Sequence, residues 1–321
     1  MLKEISIEVI RKCPNRCLHC SSFSTDNCSE IISFEKFKEV VIGAKNLGLK
    51  TICFSGGEPF LHPYIVEMID YVYRMGLNSY IYSSGVFMDK TEKRTAIPDT
   101  LMDKIAGKVT KIIFNIEAAE ESTYNLIMGT EGCFGLLEES ISNAVKKRIL
   151  VEGHFVPMKP NIDQIEKTLE VCKKLGVSKV SFLRLVMHGR ACQNRETLML
   201  SDTDLKEVER ILLKIREENT HPIRIGVPLV GETQESHCEA ANGKLNIRYD
   251  GKVFPCEVFK NNRVCILNDK VPGNIFDASI EDIYEKSDYL KTVRKLVDQF
   301  SGVACCENCV GQYYIKQSEG E

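Results

Sequence analysis

Three cysteines stand close together near the start of the chain, at Cys13, Cys17 and Cys20. Their spacing, C-x3-C-x2-C, lets three thiolates converge from one loop on one inorganic iron–sulfur cluster. Three protein ligands leave one iron of a four-iron cluster open, and an open metal position can bind a substrate. The alternative is a partial zinc knuckle, for which His19 or Cys28 would supply the fourth ligand.

A second chemical motif reads Gly56-Gly57-Glu58-Pro59. Two adjacent glycines allow a ligand to approach the backbone closely, because neither residue carries a Cβ atom. Glu58 supplies a carboxylate that can hold a ligand ammonium group. Alone, the motif is typical of an ordinary strand-to-helix turn, but its position one strand after the three cysteines favours a shared site.

A second set of cysteines lies near the other end of the chain. It consists of four thiols in two pairs, at Cys238, Cys256, Cys306 and Cys309. Four thiolates suit either a structural zinc ion or a closed [4Fe–4S] cluster. Cys305 is adjacent to Cys306 and could replace it, but C-x2-C spacing with Cys309 favours Cys306.

The elements that must position these motifs follow from the hydrophobic pattern. Short apolar runs alternate six times with longer segments of helical period, which favours parallel strands joined by helices. The six predicted strands are Ile5–Ile10, Thr51–Ser55, Ser79–Ser84, Lys111–Glu117, Leu150–Pro157 and Val180–Leu185. After residue 220 the pattern changes. Leu245–Phe254 predicts two short strands about an Asp-Gly turn, and Ser279–Asp298 predicts a charged helix.

Composition narrows the class of protein. The chain has 321 residues and a net charge of −3, which argues against a nucleic-acid backbone as the main partner. No long apolar window predicts a membrane span, and the N-terminus lacks the pattern of a signal peptide, so we expect a cytoplasmic protein. Thiols stay reduced there, so 14 cysteines indicate metal binding rather than a disulfide framework.

Together, the cysteine loop and the GGEP motif resemble the radical SAM superfamily, whose members cleave S-adenosylmethionine (SAM) to make a carbon radical. The resemblance implies that Cys13, Cys17 and Cys20 hold a [4Fe–4S] cluster whose open iron binds SAM. It also implies that the glycine motif lines the SAM amino group, and that the α/β fold is a partial (β/α)6 TIM-like barrel. It covers the chain from about residue 4 to residue 220.

Further SAM contacts implied by the resemblance are less regular. Ser83, Asn115 and Glu117 stand near the ends of strands, where relatives bind the SAM ribose or carboxylate. Met128 occupies a position at which relatives often have arginine. We therefore expect Arg184, at the end of the sixth predicted strand, to bind the SAM carboxylate instead.

The C-terminal cysteines resemble the SPASM and twitch subdomains that some radical SAM enzymes carry. Because no cysteine follows Cys309, the pattern favours the shorter twitch form with one auxiliary [4Fe–4S] cluster. Four protein thiolates would close that cluster to substrate, so we expect it to transfer electrons. We predict two domains, the partial barrel at residues 1–220 and the auxiliary-cluster subdomain at residues 221–321.

The resemblance implies a substrate that is a peptide or protein, modified by crosslinking, epimerisation or oxidation. One alternative is radical dehydrogenation of a small molecule such as an aminocyclitol, whose enzyme has a similar cysteine layout. A non-enzymatic alternative is a zinc-stabilised binding module. Only about four residues precede the first strand, so we expect no N-terminal peptide-recognition domain. A reductase such as flavodoxin or ferredoxin is the expected partner.

No general base is evident from the pattern. His154 and His188 end the fifth and sixth strands, where barrel active sites lie, although a lone histidine is more often structural. Glu257 neighbours an auxiliary ligand and is a further candidate. Cys53 and Cys133 lie in or near predicted strands, and we expect one of them to donate hydrogen if the reaction is redox-neutral.

Overall fold

A nine-stranded sheet organises the structure, a computed structural model that describes residues 1–226, 229, 238–260, 267, 269–300 and 309–311. The strands in chain order are β1 (Glu4–Ile10), β2 (Thr51–Gly56), β3 (Asn78–Ser83), β4 (Val86–Met88), β5 (Arg94–Ala96), β6 (Lys111–Asn115), β7 (Val151–Phe155), β8 (Val180–Phe182), β9 (Ile223–Ile225), β10 (Lys244–Ile247) and β11 (Val253–Phe254). The sheet order is β11-β10-β1-β2-β3-β6-β7-β8-β9, and only the β10–β11 pair is antiparallel.

Helices follow most of the parallel strands. In chain order they are α1 (Phe34–Asn46), α2 (Ile65–Arg74), α3 (Asp99–Ile105), α4 (Glu121–Met128), α5 (Phe134–Lys146), α6 (Ile165–Leu175), α7 (Arg190–Gln193), α8 (Arg195–Leu198), α9 (Asp202–Glu218), α10 (Ile280–Lys286) and α11 (Asp288–Phe300). Among the described residues, none of these helices has the length and apolarity to span a bilayer.

The predicted partial barrel is confirmed. All six predicted strands are present and parallel, and no described strand joins β9 to β11 to close the barrel. The last three predicted strands end early, at Asn115, Phe155 and Phe182. Just beyond β7 a side chain takes the place of a ladder partner, because Val156 N–H donates to the Glu117 carboxylate at 2.8 Å.

Several features differ from the sequence prediction. The small hairpin β4–β5, the short helices α4, α7 and α8, and the strand β9 were not expected. The single charged helix predicted over Ser279–Asp298 is wrong, because the chain breaks at Ser287 into α10 and α11. The Ser287 hydroxyl accepts from Leu290 N–H at 3.4 Å, so this residue caps the second helix.

The C-terminal segment joins the same sheet. β10 pairs parallel to β1, with Leu245 opposite Ile5. The predicted hairpin is confirmed as β10–β11, and Gly251 adopts φ +82° in its turn. The sheet therefore runs across the predicted domain boundary near residue 220, and that boundary stays a prediction.

The two faces of the sheet differ in character, because successive residues of a strand point to opposite sides. The outer face is apolar and packs under the helices, as in the Phe37–Phe54 ring pair of α1 and β2, whose centroids lie 5.5 Å apart. The inner face carries polar and reactive side chains instead, among them Cys53, Tyr82 and His154. The inside of the barrel is thus the side equipped for chemistry.

Candidate functional site

The loop that follows β1 carries the first three cysteines. Cys13 is buried, Cys17 and Cys20 are half-buried, and all three are free thiols. Burial raises the pKa of Cys13, and the nearby Cys17 and Cys20 raise it further. Metal binding deprotonates cysteine ligands, so a thiol whose ionisation is hindered by neighbouring thiols suits a positively charged iron centre. The donor set of this loop fits the group that the sequence implies.

The spacing of side chains also bears on the zinc alternative. Across the described ranges, no three His, Cys, Asp or Glu side chains are placed to hold one metal ion. In a four-iron cluster each thiolate binds a different iron, so its ligands are spread more widely than those of a single ion. Cluster ligation is compatible with this arrangement of thiols.

The two glycines of the GGEP motif lie against the entrance to the cysteine loop. A Cβ on Gly56 would lie 2.2 Å from the Ile10 carbonyl oxygen, and one on Gly57 would lie 2.1 Å from that of Lys12. Gly57 N–H also donates to the Ile10 carbonyl at 2.7 Å. The close approach seen here is that of the protein's own backbone, which fixes the motif beside the three thiols.

Glu58 is fully buried at the end of β2. Its carboxylate accepts from the Ser83 hydroxyl at 2.8 Å, and from the Ser84 N–H and hydroxyl at 2.9 and 2.6 Å. Burial raises the pKa of Glu58 to about 7 despite these hydrogen bonds. Glu58 thus ties the end of β2 to the end of β3, and Pro59 begins the short 3-10 turn after it.

A second buried carboxylate lies on the other side of the loop. Glu117 is fully buried, which raises its pKa to about 8, and it accepts from Val156 N–H at 2.8 Å and from the Asn115 amide at 3.5 Å. The His19 ring lies 3.6 Å from this carboxylate. The structure therefore brings Asn115 and Glu117 to the cysteine loop, and the His19 Nδ1 atom is buried there with no hydrogen-bond partner among the described residues.

Arg184 lies just beyond β8 and forms no hydrogen bond or ion pair with any other described residue. Met128 lies beside the cysteine loop, since its sulfur is 3.8 Å from the Cys17 sulfur. The expected roles of Ser83, Asn115, Glu117 and Arg184 in SAM binding stay predictions.

Sequence reasoning missed the segment that holds the cysteine loop from its far side. The Arg190 guanidinium donates to the Cys17 carbonyl at 2.8 Å and to the Ser24 carbonyl at 2.9 Å, and Arg190 N–H donates to the Cys20 carbonyl at 2.9 Å. Asn194 adds a bond to the Leu18 carbonyl at 3.1 Å. These bonds fix the backbone of the loop.

Gly189 lets this segment come so close. It adopts φ +57°, and a Cβ there would lie 2.5 Å from the Cys20 carbonyl oxygen. The dipeptide Gly-Arg shortly after the sixth strand was the only available signal, and such a dipeptide is too common to be recognised by itself. We call residues 189–194 the loop clamp.

The C-terminal cysteines also converge. Burial raises the pKa of Cys256, and Glu257, Cys309 and Cys238 raise it further, so these three thiols share one neighbourhood. Cys306 and its neighbour Cys305 lie outside the described residues. The described donors fit an iron–sulfur cluster in the same way as those of the first loop.

Several groups on the inner face of the barrel lie close to one another. Burial raises the pKa of Cys53, nearby Glu4 and Glu257 raise it further, and a hydrogen bond with Tyr82 opposes them. The Tyr82 ring lies 5.3 Å from that of His154, whose pKa burial lowers to about 3.

Two other candidates lie elsewhere. Cys133 lies at the N-cap of α5 rather than in a strand, and its sulfur donates to the Asn15 side chain at 3.4 Å. His188 Nε2 is bonded to the Val258 carbonyl at 2.6 Å, which gives that ring a structural contact.

Comparison with known proteins agrees with this geometry. A family model described as the radical SAM superfamily matches residues 7–200, and one described as an iron–sulfur cluster-binding domain, SPASM, matches residues 238–310. Among solved structures, anSMEcpe with bound AdoMet has a TM-score of 0.72 at 15% identity, covering 100% of this chain and 95% of that chain.

Two peptide complexes also share the fold. SuiB of Streptococcus suis bound to the precursor peptide SuiA has a TM-score of 0.72 at 14% identity, covering 91% of this chain and 66% of that chain. Native anSMEcpe with bound AdoMet and the Cp18Cys peptide has a TM-score of 0.70 at 15% identity, covering 99% and 94%.

The first family match covers more than half of the chain and includes the cysteine loop and the glycine motif. It identifies the first cofactor as a [4Fe–4S] cluster used with SAM, and the SPASM match identifies auxiliary iron–sulfur binding. The zinc-stabilised binding module is therefore wrong as an account of the whole protein. The chain belongs to the radical SAM superfamily.

Proposed function

We propose that the protein cleaves SAM reductively and uses the resulting radical to modify a peptide or protein substrate. The observation that carries the first part is the cysteine loop, whose backbone is held by the loop clamp on one side and lies against Gly56 and Gly57 on the other. A loop fixed in this way presents its thiols in one arrangement, as a preorganised metal site requires.

Residues of this chain would hold the cluster and SAM. Cys13, Cys17 and Cys20 hold the cluster, while the glycine motif and Arg184 face SAM. When bound, the reduced cluster and SAM supply a 5′-deoxyadenosyl radical that abstracts hydrogen from the substrate. Arg184, which has no partner among the described residues, offers a free guanidinium to the SAM carboxylate.

Inside the barrel, Cys53 is the group best suited to return a hydrogen atom. It is 1% exposed, and burial with nearby carboxylates raises its pKa, so it stays a protonated thiol at neutral pH. His154 is poorly suited as a base, because a ring with a pKa of about 3 binds a proton weakly. An epimerisation would use the Cys53 thiol, whereas an oxidation would not need it.

The peptide assignment is supported by the two peptide complexes that share the fold. Those peptides are bound by SuiB and anSMEcpe, with which this chain shares its fold. The edge of the sheet adds support, because β9 has a described neighbour on only one side. An extended peptide can pair with such an edge through its backbone.

SAM cleavage is tested with anaerobic protein, dithionite and SAM. We expect release of 5′-deoxyadenosine, loss of that product when Cys13, Cys17 and Cys20 are all replaced by alanine, and retention of it in Cys172→Ala. Cys172 is a matched control because it is a buried thiol on α6, away from the loop. Equal product from the triple variant would disprove the assignment.

The substrate class needs a separate assay. Candidate precursor peptides, found from short genes beside this one, and aminocyclitols are each added to the SAM reaction. A peptide substrate should raise 5′-deoxyadenosine formation and transfer deuterium from a labelled peptide carbon into that product. Transfer from an aminocyclitol instead would identify a small-molecule dehydrogenase, and the peptide proposal would be wrong.

A further inference from the structure

A buried lysine joins the cysteine loop to residues 238–260, which we call the auxiliary segment. Lys260 follows the short turn that begins after Cys256. Its ammonium group donates to the Glu8 carboxylate, and to the hydroxyls of Ser21 and Ser22 at 2.8 and 2.7 Å. The side chains of Lys260 and Glu8 are only 4% and 3% exposed.

These contacts satisfy the ammonium group completely, since it has three N–H donors and all three are used. The partners belong to different parts of the chain. Glu8 lies in β1, and Ser21 and Ser22 are the two residues directly after Cys20. Ser22 also donates to Glu8 at 2.8 Å. One side chain from the C-terminal segment thereby fixes both ends of the loop that carries the first three cysteines.

The same segment is attached at a second point. The Val258 carbonyl, two residues before Lys260, is bonded to His188 Nε2 at 2.6 Å. His188 directly precedes the loop clamp, whose Arg190 is bonded to the Cys17 and Ser24 carbonyls. The auxiliary segment therefore reaches the cysteine loop directly through Lys260 and indirectly through His188.

We infer that Lys260 is a positioning residue, through which the auxiliary segment holds the cysteine loop in its cluster-binding arrangement. The inference rests on the proposed function, since it concerns the cluster that cleaves SAM. Removing one partner of a buried, hydrogen-bonded ion pair leaves the other charge uncompensated and its neighbours unpaired. Without Lys260, the residues after Cys20 lose their anchor, and the loop opens more often.

A second lysine of the same segment provides a matched control. Lys244 of β10 pairs with Glu4 of β1 at 3.2 Å, so it also joins the C-terminal segment to the first strand. Glu4 lies at the start of β1, far along the strand from the cysteine loop. A change at Lys244 removes an ion pair between the same segment and β1 without touching the loop.

The test compares full-length wild type with Lys260→Met, Lys260→Arg, Glu8→Gln/Lys260→Met and Lys244→Met. The first measurement is the rate of alkylation of Cys17 and Cys20 in protein stripped of iron, resolved by mass spectrometry. The second is the electron paramagnetic resonance signal of the reduced first cluster in reconstituted protein, recognised by its change on adding SAM.

We expect Lys260→Met to raise the alkylation rate at least about tenfold, because losing even one buried hydrogen bond shifts a local opening equilibrium by about that factor. The SAM-sensitive signal should shift or weaken in the same variant. Lys260→Arg, which keeps the charge, should recover part of both properties, and Lys244→Met should match wild type.

The double variant keeps the test valid if Lys260→Met fails to fold. Glu8→Gln/Lys260→Met carries no lone buried charge, yet it still lacks the bonds to Ser21 and Ser22, so it should fold and still show fast alkylation. Wild-type alkylation and an unchanged signal in either variant would overturn the inference. Absence of 5′-deoxyadenosine from wild type would instead refute the proposed function. The alkylation rates would still decide whether Lys260 holds the cysteine loop.

Discussion

Glu58 shows how one buried carboxyl group makes stability depend on pH. The pKa of this group is about 7 in the folded protein, raised by burial from an ordinary 4.5. Between these values the unfolded chain has released the proton and the folded chain still holds it. The free energy of unfolding therefore falls as pH rises through this window.

We predict that Glu58→Gln removes this dependence. Relative to the variant, wild type should lose on the order of 3 kcal/mol of stability between pH 4.5 and about 7, an upper limit set by the pKa difference. The measurement is anaerobic thermal unfolding of both proteins across that range. Parallel curves for the two proteins would show that Glu58 is ionised when folded.

Gly57 is a residue at which a single methyl group should matter. A Cβ at this position would lie 2.1 Å from the Lys12 carbonyl oxygen, and backbone cannot give way as a flexible side chain can. We expect Gly57→Ala to displace the cysteine loop and to lower the iron content of the first cluster by more than half, measured after reconstitution.

Gly135→Ala is the matched control for that experiment. Gly135 lies in α5 with nothing within 4 Å of an added Cβ, and alanine is favoured over glycine in helices by up to ~1 kcal/mol. This variant should bind as much iron as wild type and be equally or more stable. If Gly57→Ala binds as much iron as Gly135→Ala, the close packing of Gly57 against the cysteine loop is not needed for cluster binding.

Among the elements, the loop clamp makes two of its three side-chain bonds to the cysteine loop through one arginine. Arg190→Met removes the two guanidinium bonds to the loop carbonyls of Cys17 and Ser24. We predict a loss of about 2–3 kcal/mol in stability, typical of buried hydrogen bonds to a charged group, and weaker retention of the first cluster against a chelator. Arg195→Met, an exposed arginine on α8, serves as control and should keep wild-type retention. Equal chelator sensitivity in the two variants would rule out the clamp.

The same elements show what the sequence could predict. Cysteine spacing, the glycine pair and the six strand–helix alternations are local patterns, so the first ligands and the partial barrel were predictable. Arg190 and Lys260 were not, because their partners stand 173 and 252 residues away along the chain. No period or motif records such contacts, which arise only when the barrel brings distant loops together. The break at Ser287 was missed because a serine inside a charged helix gives little signal.

At the scale of the whole molecule, the two cysteine sets predict an iron count. Two four-iron clusters correspond to about eight irons per chain on this ligand inventory. Replacing Cys13, Cys17 and Cys20 together should leave about half of the iron, as should Cys256→Ala if the protein stays folded. Iron analysis and circular dichroism on the same samples check this. Zinc in the C-terminal site, or four irons in wild type, would contradict the expectation.

The position of β10 beside β1 has a consequence for biosynthesis. β1 leaves the ribosome well before its neighbour on one side, Lys244–Ile247, which is made more than 230 residues later. Until then the strand that carries the cysteine loop has an unpaired edge, and such edges pair readily with other chains. We expect a fragment ending at Gly226 to form oligomers on size exclusion that full-length protein does not form. A monomeric fragment would refute this. Iron inserted before β10 is made would enter the cysteine loop while β1 is paired with β2 alone. The order of synthesis therefore favours insertion of the cluster after β10 has paired with β1.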